Sequence, residues 1–242
     1  MSVLLSSSPI ESWRILQYDA PTALEQMAVD EQLANEAQST LRLFRWNRPA
    51  LSLGFKQPMP AWMDREMLAS HGVEIVERPT AGGIAIHGSD LSISVVMPQQ
   101  ADVTLRVLMQ MVCEALASAV RACDVECQWR CDVRTSHRIE YCLTEESPYA
   151  IMVGERKLCG LALRRYPASW LVQGSLLVRP LPMVLTRVMP HDVVEAFQAR
   201  AISLEEARRR PMIEEELAES IMAVWRGLHV GAELASCGVA GS

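Results

Sequence analysis

Short runs in which apolar and polar residues alternate recur along this chain, and they constrain its fold more than any other feature. TLRLFRW (40–46) and GSDLSISVVMP (88–98) alternate with period two, the pattern of half-buried β-strands. WRILQY (13–18), ALSLGF (50–55), VEIVERP (73–79), VECQWR (125–130) and SWLVQGSLLV (169–178) read as further strands. SPYAIMVGERKLCGLALRR (147–165) reads as strand, Gly-Glu turn, strand. The NRP turn at 47–49 predicts a hairpin over 40–55, and 88–98 is the expected partner of 73–79.

Helices fall between these runs. DAPTALEQMAVDEQLANEA (19–37) has Leu24, Met27, Ala28, Leu33 and Ala34 near helical spacing, with Asp19 or Thr22 as cap. MDREMLASHG (63–72) is a short helix closed by Gly72, and 103–123 is a long apolar one. EEARRRP (205–211) and MIEEELAESIMAVWRGL (212–228) are helical, and RTSHRIEYC (134–142) is a polar loop. The expected class is α+β: one domain over 1–242 with mostly antiparallel or mixed sheets flanked by helices. Its core spans about 12–228, and 231–242 form a flexible tail.

The 242 residues suffice to bury a large core, and the net charge of −6 argues against a nucleic-acid partner. The first residues have no basic n-region, and no run approaches 18 apolar residues, so neither a secretory signal nor a membrane span is expected. The seven cysteines are an odd number, which fits reduced thiols in a cytoplasmic protein.

Chemistry concentrates in two places. ERPTAGGIAIHG (77–88) sets Arg78, Gly82, Gly83 and His87 in one short stretch. It reads either as a turn between strands or as a loop whose bare amides face a ligand. It is not a phosphate-binding P-loop, because GK[ST] is missing. A lone His beside an apolar strand serves more often as a hydrogen-bonded structural residue than as a catalyst. Cys142, between a polar loop and TEESP, belongs near the surface, whereas Cys113 belongs to an apolar helix. A nucleophilic Cys needs a nearby cation, and Lys157 is the candidate. Cys123, Cys127 and Cys131 lack the CxxC or His that would complete a metal site, so none is expected. No GxSxG elbow is present.

Four stretches together resemble the biotin/lipoate protein ligase and transferase family, in particular bacterial octanoyltransferases and lipoate–protein ligases. WRILQYDAPTALEQMAVDEQL is similar to the family's opening strand and helix, with the N/Q-M-A-x-D-E core at Gln26–Glu31. LRLFRWNRPALSLGFKQ resembles its W-x-x-P…G-x-x-Q segment, and ERPTAGGIAIHG its lipoyl-binding loop. YCLTEESPYAIMVGERKLCGLALRR…VQGSLLV resembles its C…G-R-K-x-x-G…H-G-S segment. The resemblance runs from about 12 to 228. It assigns the glycine stretch to the ligand loop and implies that Arg78, Gly82, Gly83, Ala85, His87, Gly160, Gly174 and Ser175 line the acyl site. Lys157 would hold the carbonyl or phosphate end of the donor and stabilise an oxyanion.

The family divides by reaction. Transferases of the cysteine type have a Cys where this chain has Cys142, and the chain has no extra C-terminal domain of the kind many ligases carry. The resemblance therefore implies a Cys142 thioester formed from octanoyl-acyl carrier protein. The acyl group then passes to a lysine of a lipoyl domain or glycine-cleavage H protein, with no cofactor. The alternatives are a ligase using lipoate, ATP and Mg²⁺, and a non-catalytic binder of acyl groups or lipoyl domains. Gln173 stands where the family has His, Leu161 and Leu163 where it has Ser and Gln, and Gly88 where it has Asp.

Overall fold

A computed structural model describes residues 13–100, 103–131 and 139–228. The expected tail at 231–242 and residues 134–138 of the polar loop lie outside the described residues. Seven strands form the larger sheet: β1 (Arg14–Gln17), β2 (Thr40–Phe44), β6 (Asp90–Pro98), β10 (Ser169–Leu177), β9 (Arg156–Arg165), β8 (Ala150–Val153) and β7 (Gln128–Arg130), in that spatial order. Among the described residues, only β1 and β2 run parallel in it. A smaller sheet has the order β4 (Glu74–Glu77), β3 (Ala50–Leu53), β5 (Ala85–His87). This mixed arrangement, with helices against both sheets, is the α+β architecture that the alternation predicts.

The helices are α1 (Ala23–Glu36), α2 (Arg65–Ser70), α3 (Leu105–Ala122), α4 (Met183–Val188), α5 (His191–Arg200), α6 (Leu204–Arg208) and α7 (Glu214–Gly227). Among the described residues, no helix is long and apolar enough to cross a membrane. Thr22, not Asp19, caps α1, in a reciprocal capping box with Glu25. Asp19 instead accepts from the Arg45 amide at 2.7 Å.

The two sheet-pairing expectations fail for one reason. Strands β2 and β3 are not a hairpin, because they belong to different sheets. Strand β6 pairs with β2 and β10, while β4 runs parallel to β3. All of β2 and β3, and β6 up to its last residue, are buried on both faces. Alternation was read as one face in core and one in water. Here both faces are interior, and one of them is polar.

The register makes this explicit. Leu41 and Leu43 of β2, Leu91, Ile93 and Val95 of β6, and Val172 and Leu176 of β10 face the core built with α3 and α7. On the opposite face stand Arg42, Asp90, Ser92, Ser94, Gln173 and Ser175. Helix α1 lies over this second face.

The α1 face turned to the sheet carries Gln26 and Asp30, both buried. Arg42 Nη1 meets Asp30 Oδ1 at 2.6 Å, with neither side chain exposed. Arg42 also donates to the Gln26 backbone and side-chain carbonyls and, at 2.9 Å, to the Tyr18 carbonyl. Asp30 further accepts from Ser94 Oγ and, at 2.5 Å, from Gln173 Nε2. Thr80 Oγ1 donates to Gln173 Oε1 at 2.6 Å, which ties the glycine stretch into the same network.

Removing one member of a buried pair strands the other charge. Asp30→Ala is expected to cost about 3–5 kcal/mol, a fall in Tm of roughly 10 °C. Paired replacement by Asp30→Leu and Arg42→Met should be less costly than the single change. Chemical denaturation of the three variants checks this.

Candidate active site

The glycine stretch is shaped for another piece of backbone. Ile84 N donates to the Glu140 carbonyl at 2.7 Å, and Cys142 N donates to the Ile84 carbonyl at 2.8 Å. Residues 140–142 thus run beside Ile84 as a short parallel bridge. A Cβ on Gly83 would lie 2.7 Å from the Glu140 carbonyl carbon and 2.8 Å from Tyr141 N, so only glycine allows this approach. Glu145 Oε1 accepts from the amides of Glu140 and Tyr141, both at 2.7 Å, which closes the turn that follows.

Arg78 holds the stretch from inside. It is buried and donates to the carbonyls of Ser52 (2.9 Å), Ala81 (2.8 Å) and Gly83 (2.7 Å). Burial lowers its pKa, opposed by Cys142.

Cys142 is brought over β9 by this bridge. A Cβ on Gly160 would stand 2.5 Å from the Cys142 Sγ, so the thiol occupies the place of a side chain at 160. Lys157, three residues earlier on β9, is buried under the turn. Its ammonium donates to the Cys142 carbonyl at 2.9 Å, to Ser147 Oγ at 3.0 Å and to the Glu145 carbonyl. All three of its hydrogens are thereby committed. Burial pushes its pKa below the ordinary lysine value, opposed by Cys142, Cys159, Glu145 and Glu146. The expected Cys142–Lys157 pair therefore meets through the Cys142 carbonyl.

His87 Nδ1 lies 2.8 Å from Asp90 Oδ2, and its Nε2 lies 2.8 Å from Ser52 Oγ. Its ring stacks on Trp46 at 4.0 Å. Asp90 and Ser52 thus hold the two ring nitrogens from opposite sides. Asp90 Oδ2 also accepts from Ser92 (2.8 Å) and Ser175 (2.7 Å), and its Oδ1 from Gly88 N (3.0 Å). Burial raises the Asp90 pKa, but His87, Ser175 and the Gly88 amide outweigh it and hold the carboxyl below 3.8.

Between the Asp30 and Asp90 clusters lies a narrow cleft with a free volume of about 30 Å³. Met27, Phe44, Trp46 and Ala162 give it an apolar lining. Of the residues singled out in the sequence, Cys142, Arg78, Ala85, His87, Gly160, Gly174 and Ser175 reach it. Gly82 and Gly83 do not line it; Gly83 seats the Cys142 segment. Lys157 faces a larger hollow of about 340 Å³ behind the turn, with Arg130, Arg200 and Glu146. Sequence reasoning missed Asp90, Phe44, Trp46 and Ser52. The i, i+2 run Asp90, Ser92, Ser94 was the available signal.

The architecture that holds this site has solved counterparts. Lipoate-protein ligase A bound with ATP superimposes with a TM-score of 0.72 at 20% identity, covering 90% of this chain and 85% of that one. Protein Ta0514 from T. acidophilum, a putative lipoate protein ligase with bound lipoic acid, gives 0.69 at 18%, covering 93% and 92%. The chain belongs to the lipoyl protein ligase A/B catalytic domain family, whose sequence model matches residues 17–226. The octanoyltransferase LipM of Symbiobacterium thermophilum is 30% identical over 234 residues, 88% of this chain and 84% of that protein. That of Kyrpidia tusciae is 29% identical over 237 residues, 88% and 85%.

Two measurements follow from the geometry. Gly160→Ala displaces the thiol and should slow its reaction with an added acyl thioester on the order of 100-fold, the scale of an ångström-sized misplacement, as read by intact-protein mass spectrometry. The Asp90 carboxyl should titrate below 3.8 by ¹³C NMR. Its stabilising contribution is complete above 3.8 and is lost as pH falls through the lower folded value.

Proposed function

We propose that this chain is a cysteine-dependent acyltransferase of protein lipoylation. The Cys142 thiolate attacks the carbonyl of octanoyl-acyl carrier protein, and the carrier's thiolate leaves and takes up a proton. The lysine amine of a lipoyl domain or glycine-cleavage H protein then attacks the Cys142 thioester. The amide forms, the amine loses a proton and the Cys142 thiolate is released. Neither step consumes ATP. The observation that carries this reading is the Cys142 thiol resting on Gly160 at an apolar cleft.

Each residue has a physical task in that sequence. The Ile84 bridge and the Gly83 approach fix where the sulfur sits. Lys157 shapes the 142–147 turn and sets a positive charge behind the Cys142 carbonyl, where it favours charge developing at the thioester. Arg78, with its donors spent on carbonyls, stiffens the loop. The apolar lining takes the acyl chain out of water, at roughly 0.8 kcal/mol per buried methylene.

The test is mass spectrometry of the protein with octanoyl-acyl carrier protein, and separately with lipoate plus Mg-ATP, each with and without a lipoyl domain. The expected result is an octanoyl adduct on Cys142 that chases onto the domain without ATP. Cys142→Ala should lower transfer by about 10³-fold or more, the scale of losing a nucleophile. Lipoylation that needs ATP and is indifferent to Cys142→Ala would make the chain a ligase instead. Acyl or lipoyl-domain binding with no turnover would make it a binder only.

A further inference from the structure

The strand register lays out a single row of side chains beneath the cleft. Gly160 pairs with Ser175, Ser175 with Ser92, and Ser92 with Phe44, across β9, β10, β6 and β2. Residues directly opposite in antiparallel pairs share a face, so all four point into the same space. Three are small and the fourth is large. The Ser92 and Ser175 hydroxyls both donate to Asp90, and Ser92 Oγ also accepts from Trp46 Nε1 at 2.9 Å, so these hydroxyls are engaged within the protein.

Phe44 closes the far end. It packs with Ala23 and Met27 of α1 and with Ala50 and Val76 of the smaller sheet, so it plugs the gap between the layers. The Arg42 guanidinium lies 4.1 Å from its ring centroid and Trp46 lies 5.7 Å away, which hold it in place.

The dimensions set a chain length. Three strand spacings from Gly160 to Phe44 span roughly 14 Å, and the Phe44 ring takes the last of them, leaving about 9 Å. An extended eight-carbon acyl chain measures roughly 9 Å from carbonyl to methyl, because its zigzag advances about 1.25 Å per C–C bond. We propose that Phe44 is the chain-length stop of the acyl trough and restricts the enzyme to medium-length chains of about eight carbons. The proposal rests on the acyl-transfer reading for its biological use but concerns the trough alone. Removing the ring would add about one strand spacing, close to 5 Å, or four methylenes.

The experiment is calorimetric titration of the full chain with octanoate and with dodecanoate, for wild type, Phe44→Ala and Phe44→Leu. Wild type should bind octanoate and gain nothing from the four extra methylenes. Phe44→Ala should shift the affinity ratio toward dodecanoate on the order of 100-fold, since four more methylenes are buried. Phe44→Leu should shift it part of the way, and it decides the matter if Phe44→Ala does not fold. A ratio left at the wild-type value in the folded variants overturns the proposal, as does a wild-type protein that binds neither acid. Loading from octanoyl- and dodecanoyl-acyl carrier protein is measured in parallel. Chain-length selectivity in binding without any Cys142 adduct would defeat the transfer reading and leave the stop standing.

Discussion

An aspartate and an arginine with no exposure to water meet between α1 and the polar face of the larger sheet, and the site is built around them. A buried pair of this kind is tolerated only where further polar groups satisfy it. Gln26, Ser94, Gln173 and the Tyr18 carbonyl do so here for every polar atom of the pair except Arg42 Nε, which is buried without a partner. Each comes from a different part of the chain. The pair therefore orients α1 on the sheet, and through Gln173 and Thr80 it positions the start of the glycine stretch. Apolar packing alone would leave the helix free to slide, whereas directional bonds fix its register.

The second carboxylate, Asp90, does related work on the other side of the cleft. It absorbs the polar atoms of His87, Ser92 and Ser175 that would otherwise face the cleft. The sheet face is thus polar in composition and largely apolar in what it offers a ligand. A pocket for a hydrocarbon chain can be floored with serine because the hydroxyls are bonded sideways.

Much of this was legible in the residues. The Thr22 cap, the Gly154-Glu155 turn and the mixture of strands and helices follow from local rules. The motif at Gln26–Glu31 marked the helix face that carries Asp30. Cys142, Arg78 and His87 were singled out, and each reaches the cleft. Strand pairing was not legible, because Arg42 and Ser94 look like solvent-facing residues until Asp30 is placed against them. Gly160 could not announce itself as the seat of a thiol, since its contact with residue 142 is purely tertiary. Gly83 was read as ligand-facing, but its missing Cβ admits a peptide unit instead. Phe44 looked like any core aromatic until the register set it at the end of a row of small residues.

The chain contains only two lysines, Lys56 and Lys157, among 23 basic residues. Under the proposed transfer, a sulfur loaded with an acyl group bound for a lysine is an electrophile capable of labelling the enzyme itself, and Lys157 lies in the turn beside it. Burial favours its neutral amine, but three oxygen acceptors hold three hydrogens on its nitrogen and oppose that loss. The acceptors that anchor the turn would thus also spare the enzyme from its own side chain, and the acyl group would wait for an amine from outside.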